Sequence, residues 1–212
     1  MAKRKVNFFQ KFLDNKLRLK PYQEIGIYVL VFIISGSLGW LWEFFLGFAF
    51  SGFRDICVTG GNLLPWISLY AYGGVIILAL TNRLRRYPWL VFVISALATG
   101  LLELFAGWAV YTVGNGTRYW DYSEVWWGFG SIDGFVCPVS TIVFGLGGLL
   151  LMYVLFPFCT NLAIKMKKKS FLTLVITLFV VIILDDIINL TLKNLGLPTA
   201  MDFYSSLGWK YK

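Results

Sequence analysis

Five apolar runs, at about residues 25–50, 63–81, 88–113, 134–163 and 171–195, follow one another with only short polar stretches between them. Several exceed 18 residues with few or no charges, the length a helix needs to cross the hydrocarbon core of a bilayer. In lipid every backbone N–H and C=O must be paired within the protein, so only helices and closed barrels span it. Barrel strands would show short alternating apolar and polar runs. These runs are continuous, and the predicted fold is all-α: a polytopic transmembrane bundle of five helices. Composition agrees, with 58% hydrophobic and 14% charged residues, where a soluble domain carries about 25% charged. The first run starts after a basic segment of more than 20 residues and is too long for a signal-peptide core, so it reads as a retained helix.

The basic residues orient the bundle. Lys3, Arg4, Lys5, Lys11, Lys16, Arg18 and Lys20 precede the first run, Arg83, Arg85 and Arg86 follow the second, and Lys165, Lys167, Lys168 and Lys169 follow the fourth. With the N-terminus inside, only Arg54, Arg118, Lys193, Lys210 and Lys212 of the 19 basic residues face outward. Cytoplasmic loops are the ones enriched in Lys and Arg, so the expected topology is N-in and C-out. The domains read as a basic cytoplasmic segment at 1–24, a five-helix membrane domain at 25–195 and an outer tail at 196–212. In the first of these, Phe8, Phe9, Phe12, Leu13 and Leu17 recur at helical spacing among the cations. That pattern fits a basic amphipathic helix on an anionic membrane surface, or else a frayed basic tail.

Four acids fall inside the runs: Glu43 late in the first, Glu103 late in the third, Asp185 and Asp186 late in the fifth. Each of those runs starts inside, so all four lie roughly 22–27 Å from the cytoplasmic end, at one depth in the outer part of the bilayer. A carboxylate there is costly and should face a polar cavity, pair with a base or stay protonated. Gly39-Trp40-Leu41-Trp42-Glu43-Phe44 also parallels Thr99-Gly100-Leu101-Leu102-Glu103-Leu104, a hint of an internal repeat of helix pairs. One reading is a shared cavity open to the outside and lined by Glu43, Glu103, Asp185 and Asp186. In the other, each acid pairs locally, for example with Arg54, Arg118 or Lys193. Trp120 and Asp121, in the aromatic stretch at 114–131, are candidate ligands as part of a lid, although an interfacial aromatic belt accounts for that stretch too. Tyr72 of the second run is a further candidate.

Several chemistries drop out. The absence of histidine removes His-based triads, His metal sites and His proton relays. Cys57, Cys137 and Cys159 lack metal-ligand spacing; Cys57 and Cys137 share the outer side, where a disulfide is conceivable. No P-loop is present, and neither a metal nor a cofactor is expected. The cations lie between apolar runs and are not interleaved with aromatics on a soluble face, so nucleic acid is not an expected partner. Gly145-Leu146-Gly147-Gly148 suggests close helix packing.

On Gly39-Trp40 with Glu43, the series Pro65, Tyr70, Tyr72 and Gly73, then Glu103, Trp120-Asp121-Tyr122-Ser123 and Gly134, residues 30–160 resemble the bacterial family of ABC-transporter permeases of the CmpB type. That family reads closer to Gly-Pro-x-x-Pro-Ile-Tyr-Gly where this chain has Asn62-Leu63-Leu64-Pro65-Trp66-Ile67-Ser68-Leu69-Tyr70. The resemblance implies a permease of the bacterial cell membrane that works with a separate ATPase subunit. The short loops at 82–87 and 164–170 offer little surface for such coupling, and five helices are few for a pathway, which implies a homo-oligomer or a partner. The alternatives are a small membrane scaffold whose acids are structural, and a membrane-embedded enzyme using Glu43 and Glu103 as an acid–base pair. No catalytic motif supports the enzyme, and the expectation is a non-enzyme.

Overall fold

The computed structural model describes residues 8–50, 52, 54, 56–58, 60 and 62–211. Lys3, Arg4, Lys5, Gly61 and Lys212 lie outside the described residues. The chain is helical: α1 (Phe8–Leu13), α2 (Pro21–Phe50), α3 (Ser68–Thr81), α4 (Pro88–Val113), α5 (Pro138–Leu150), α6 (Phe156–Lys165), α7 (Lys168–Asn194) and α8 (Ala200–Ser206). Two short strands, β1 (Cys57–Val58) and β2 (Lys210–Tyr211), pair in parallel. α2, α4 and α5 each open on a proline, which is pre-set for the first helical turn and sacrifices no hydrogen bond there. Between α5 and α6 the helix widens into a π turn at Leu151–Leu155. Pro157 follows directly and has no N–H to return to the carbonyl four residues back, so the wide turn sits where the regular ladder fails.

Four helical stretches are long and apolar enough to cross a membrane: Pro21–Ala49, Pro88–Val113, Pro138–Lys165 and Lys168–Asn194. Their outward faces carry large apolar side chains such as Leu101, Phe105, Val154, Ile176 and Ile188. The protein is a membrane protein built on these helices. The second expected run behaves differently. It begins with irregular backbone at 62–67, and only the 14 residues of α3 are helical.

By contacts the chain divides into two units, one of Met1–Tyr28 with Gly73–Met166, the other of Val29–Tyr72 with Lys167–Lys212. In the first unit small residues set the distance between α4 and α5. A side chain at Gly100 would press on Thr141, at Gly145 on the Phe92 ring, and at Gly148 on Ser95. Such contacts replace the hydrophobic effect between helices surrounded by lipid. α1 also packs here through Phe12, which is fully buried against Phe156. The apolar stripe read as membrane-facing therefore turns, at Phe12, onto protein.

In the second unit Trp66 packs with Ile33, Ala71 and Ile182, its ring lying over Gly36 of α2. The stretch expected as an outer tail is folded: Thr199 and Asp202 cap α8 reciprocally, and Tyr204 stacks on Trp209 with ring centroids 5.3 Å apart. Tyr204 and Trp209 pack with Trp40, Phe44 and Ile67, while the Lys210 N–H donates to the Ile56 carbonyl at 2.8 Å. Cys137 and Cys159 are free, buried thiols, so Cys137 is not in the disulfide conceived for it.

Candidate functional site

On α4 the buried positions Val91, Ser95, Ala96, Thr99, Gly100, Glu103 and Gly107 recur every three to four residues and form one face. Glu103 is the only carboxylic acid among them and is 3% exposed. The Tyr122 hydroxyl donates to its Oε1 at 2.5 Å and the Ser140 hydroxyl to its Oε2 at 2.9 Å. Ser140 is the third residue of α5, so the carboxyl meets the end of that helix whose dipole favours negative charge.

The Trp-Asp-Tyr-Ser stretch aims Tyr122 at Glu103. The Trp120 indole N–H donates to the Phe135 carbonyl at 2.8 Å, and the Tyr122 N–H to the Gly134 carbonyl at 2.8 Å. Asp121 accepts the Ser123 N–H at 2.9 Å and its hydroxyl at 2.5 Å, bonds that hold its carboxyl below the usual aspartate range. Arg118 lies 3.2 Å from Asp121, donates to the Asp133 carbonyl at 2.5 Å and sits between the Tyr111 and Phe135 rings. Gly134 is required at its position: φ is +72°, and a Cβ there would run into the Asp121 carboxylate. Trp120 and Asp121 thus spend their polar atoms on the loop itself.

In the other unit Glu43 is half-buried and accepts a hydrogen bond from the Tyr70 hydroxyl. One turn earlier, Gly39 leaves the space that the Tyr70 ring fills. A glutamate four residues after a small residue, held by a tyrosine from elsewhere in the chain, thus occurs once in each unit. Tyr72 lies 57% exposed with its ring edge-on to Phe32 at 5.3 Å. Two residues of helix turn the chain by about 200°, which is why Tyr70 and Tyr72 cannot face the same way.

Asp185 and Asp186 act on the irregular stretch before α3. Asp185 accepts the Leu63 N–H at 3.3 Å and the Leu64 N–H at 3.0 Å, and Asp186 accepts the Asn62 side-chain amide at 2.5 Å. Asn189, one turn on, donates to Asp185 at 3.2 Å and accepts the Ala200 N–H at 3.1 Å. The Tyr204 hydroxyl takes up the Leu63 carbonyl at 2.5 Å, and the Ile67 N–H reaches the Gly36 carbonyl at 3.1 Å. Backbone N–H groups outside a helix need other partners, and here Asp185 and the Gly36 carbonyl supply them.

Of the expected site residues, then, Asp185 and Asp186 meet on one segment, Glu43 stands with Tyr70 in the same unit, and Glu103 stands with Tyr122 in the other, joined to Trp120 and Asp121 by the loop. Tyr70, Tyr122, Ser140, Asn62 and Asn189 were not among the expected site residues. Tyr122 carried a signal, its place in the Trp-Asp-Tyr-Ser stretch, and Asn189 another, its four-residue offset from Asp185.

Long apolar helices, one of them holding a buried carboxyl met by two hydroxyls, define a multi-pass membrane protein. The family model described as "Putative ABC-transporter type IV" matches residues 30–190, and the chain belongs to that family. No curated protein and no solved structure matches it.

Proposed function

We propose that this chain is the membrane-spanning permease subunit of a transporter in the bacterial cell membrane, acting as a homo-oligomer or with a partner, with ATP hydrolysed by a separate subunit. Glu103 carries the reading. An ionisable side chain at membrane depth costs about 3 kcal/mol or more and is a functional-site candidate by default. This one is 3% exposed, yet it is met by two hydroxyls, one delivered by a loop built around Tyr122. The tyrosine-held Glu43 makes a second such group. In the second unit Glu43, Asp185 and Asp186 would meet a cationic or polyol-like solute on the outer side, beside Tyr72, and in the first unit Glu103 would do so beside Trp120 and Asp121. The chain itself would carry no catalysis.

The permease would cross the membrane five times, N-terminus inside and C-terminus outside. α3 rises about 21 Å at 1.5 Å per residue, short of a hydrocarbon core of about 30 Å. The irregular 62–67 stretch, with its amides taken up by Asp185 and the Gly36 carbonyl, would complete the second crossing. Support comes from Arg85 and Arg86, which bond to the Phe12 carbonyl at 2.9 Å and to Asp14 at 2.5 Å. Those bonds would hold the segments before α2 and after α3 on one side.

One observation favours a scaffold instead: both oxygens of Asp185 are occupied by backbone amides. The experiment separates the two. Glu43→Gln, Glu103→Gln and Asp185→Asn are purified, their melting measured in detergent, and solute uptake followed in vesicles with the wild type beside them. Glu43→Gln and Glu103→Gln variants that fold normally and lose uptake support the permease. Variants that all lose stability, with uptake following stability alone, support the scaffold.

A further inference from the structure

α1 and the residues after it are fastened to the first unit at several points. Arg85 is buried with its guanidinium 4.4 Å from the Phe12 ring centroid and 4.6 Å from that of Phe156. It donates to the Phe12 carbonyl at 2.9 Å and the Asn82 carbonyl at 2.7 Å, and its own carbonyl accepts the Tyr153 hydroxyl at 2.9 Å. Arg86 and Lys16 both pair with Asp14, at 2.5 and 3.2 Å. Gln23 donates to the Ala163 carbonyl at 2.6 Å and accepts the Lys20 N–H at 2.9 Å. The outcome is a fixed platform joining the 8–23 segment, the 82–87 loop and the end of α6.

The platform leaves cations over. Lys11, Arg18, Lys20, Arg83 and Lys165 are exposed, and among the described residues none of them has a carboxylate within ion-pair distance. Asp14 is already shared by two bases, and Glu24 is the other acid of this region. The cations stand at the ends of membrane helices: Lys20 precedes Pro21 of α2, the 82–87 loop precedes Pro88 of α4, and Lys165 closes α6. Tyr87 and Trp89, both exposed, flank them at the level where amphipathic rings sit between water and lipid. Phe12 is withdrawn into the protein, which leaves Phe9 as the exposed large apolar side chain of α1.

We infer that this platform is a preformed site for the headgroup phosphate of anionic phospholipid, with the acyl chains lying along the ends of α2, α4 and α6. Binding rests on unpaired charges carried by segments that are fastened to one another, and it does not depend on what the protein transports. A cation near an anionic surface contributes about 1 kcal/mol, or about fivefold in affinity.

The test uses full-length protein in nanodiscs of equal phosphatidylglycerol and phosphatidylcholine, with retained lipid counted by native mass spectrometry. Wild type should retain phosphatidylglycerol about tenfold over phosphatidylcholine. The exposed changes Lys20→Gln and Arg83→Gln, made together, should lower that preference at least fivefold with no change in melting. Glu24→Gln should raise it, a reversal that misfolding would not produce, and inorganic phosphate should not displace the lipid. Equal retention of the two lipids by the wild type overturns the proposal and leaves the charges to an acidic protein surface. A preference that survives the double change overturns it as well.

Discussion

Asp185 takes the place of the helical turn missing at 62–67, its two oxygens meeting the Leu63 and Leu64 amides. A buried N–H left without a partner costs about 1–3 kcal/mol. Asp185→Ala strands two part-buried amides and frees Asn189, so it should destabilise the protein by about 1–3 kcal/mol, read as a lower melting temperature in detergent. Tyr72→Ala, at an exposed ring, should leave the melting temperature nearly unchanged. At Glu103 the informative change is Tyr122→Phe, which removes one hydroxyl and keeps the ring. It should cost about 1–2 kcal/mol in melting, while Tyr119→Phe, exposed in the same loop, should cost nothing measurable. The acids themselves were legible in the sequence because a charge inside an apolar run cannot be ignored. Their partners were not, since tyrosines near membrane ends are ordinary interfacial residues and nothing local distinguishes Tyr70 from Tyr72.

The elements differ in how far sequence alone could define them. α4 and α7 follow from uninterrupted apolar length. The stretch before α3 shows where hydropathy stops being informative: it scores Leu63, Leu64 and Trp66 as apolar without saying whether their backbone is helical. Gly60 and Pro65 are residues that break helices, but the compensation comes from α7, more than a hundred residues away. The Trp-Asp-Tyr-Ser loop is held together by Asp121, whose carboxyl lies below the usual aspartate range because Ser123 donates to it twice and Arg118 stands beside it. A lowered folded-state value means the loop's stabilisation is complete above the ordinary aspartate pKa of about 3.9. It is lost as pH falls through that value and the lower folded one. Limited proteolysis of 114–137 should therefore be flat from pH 7 to 5 and rise below about pH 4, and Asp121→Asn should be cut faster already at pH 7. The fold of residues 196–211 was the least legible element, because it depends on Tyr204 and Trp209 meeting Trp40 and Phe44, contacts with no local signature.

For the molecule as a whole, the number of crossings decides the side on which everything else lies. If α3 turned back without crossing, the four long helices alone would put the 82–87 loop opposite the N-terminal segment. Arg86 could not then pair with Asp14 at 2.5 Å, nor Arg85 bond to the Phe12 carbonyl at 2.9 Å. Three cationic segments would also be split between the two faces, against the bias that orients membrane proteins. The five-crossing proposal thus predicts opposite sides for Lys16 and Thr117, and for Lys16 and Ser206, all three exposed. In a cysteine-free background, Thr117→Cys and Ser206→Cys should react in intact cells with a maleimide that cannot cross the membrane. Lys16→Cys should react only after permeabilisation. With four crossings Thr117→Cys and Ser206→Cys would both be silent in intact cells.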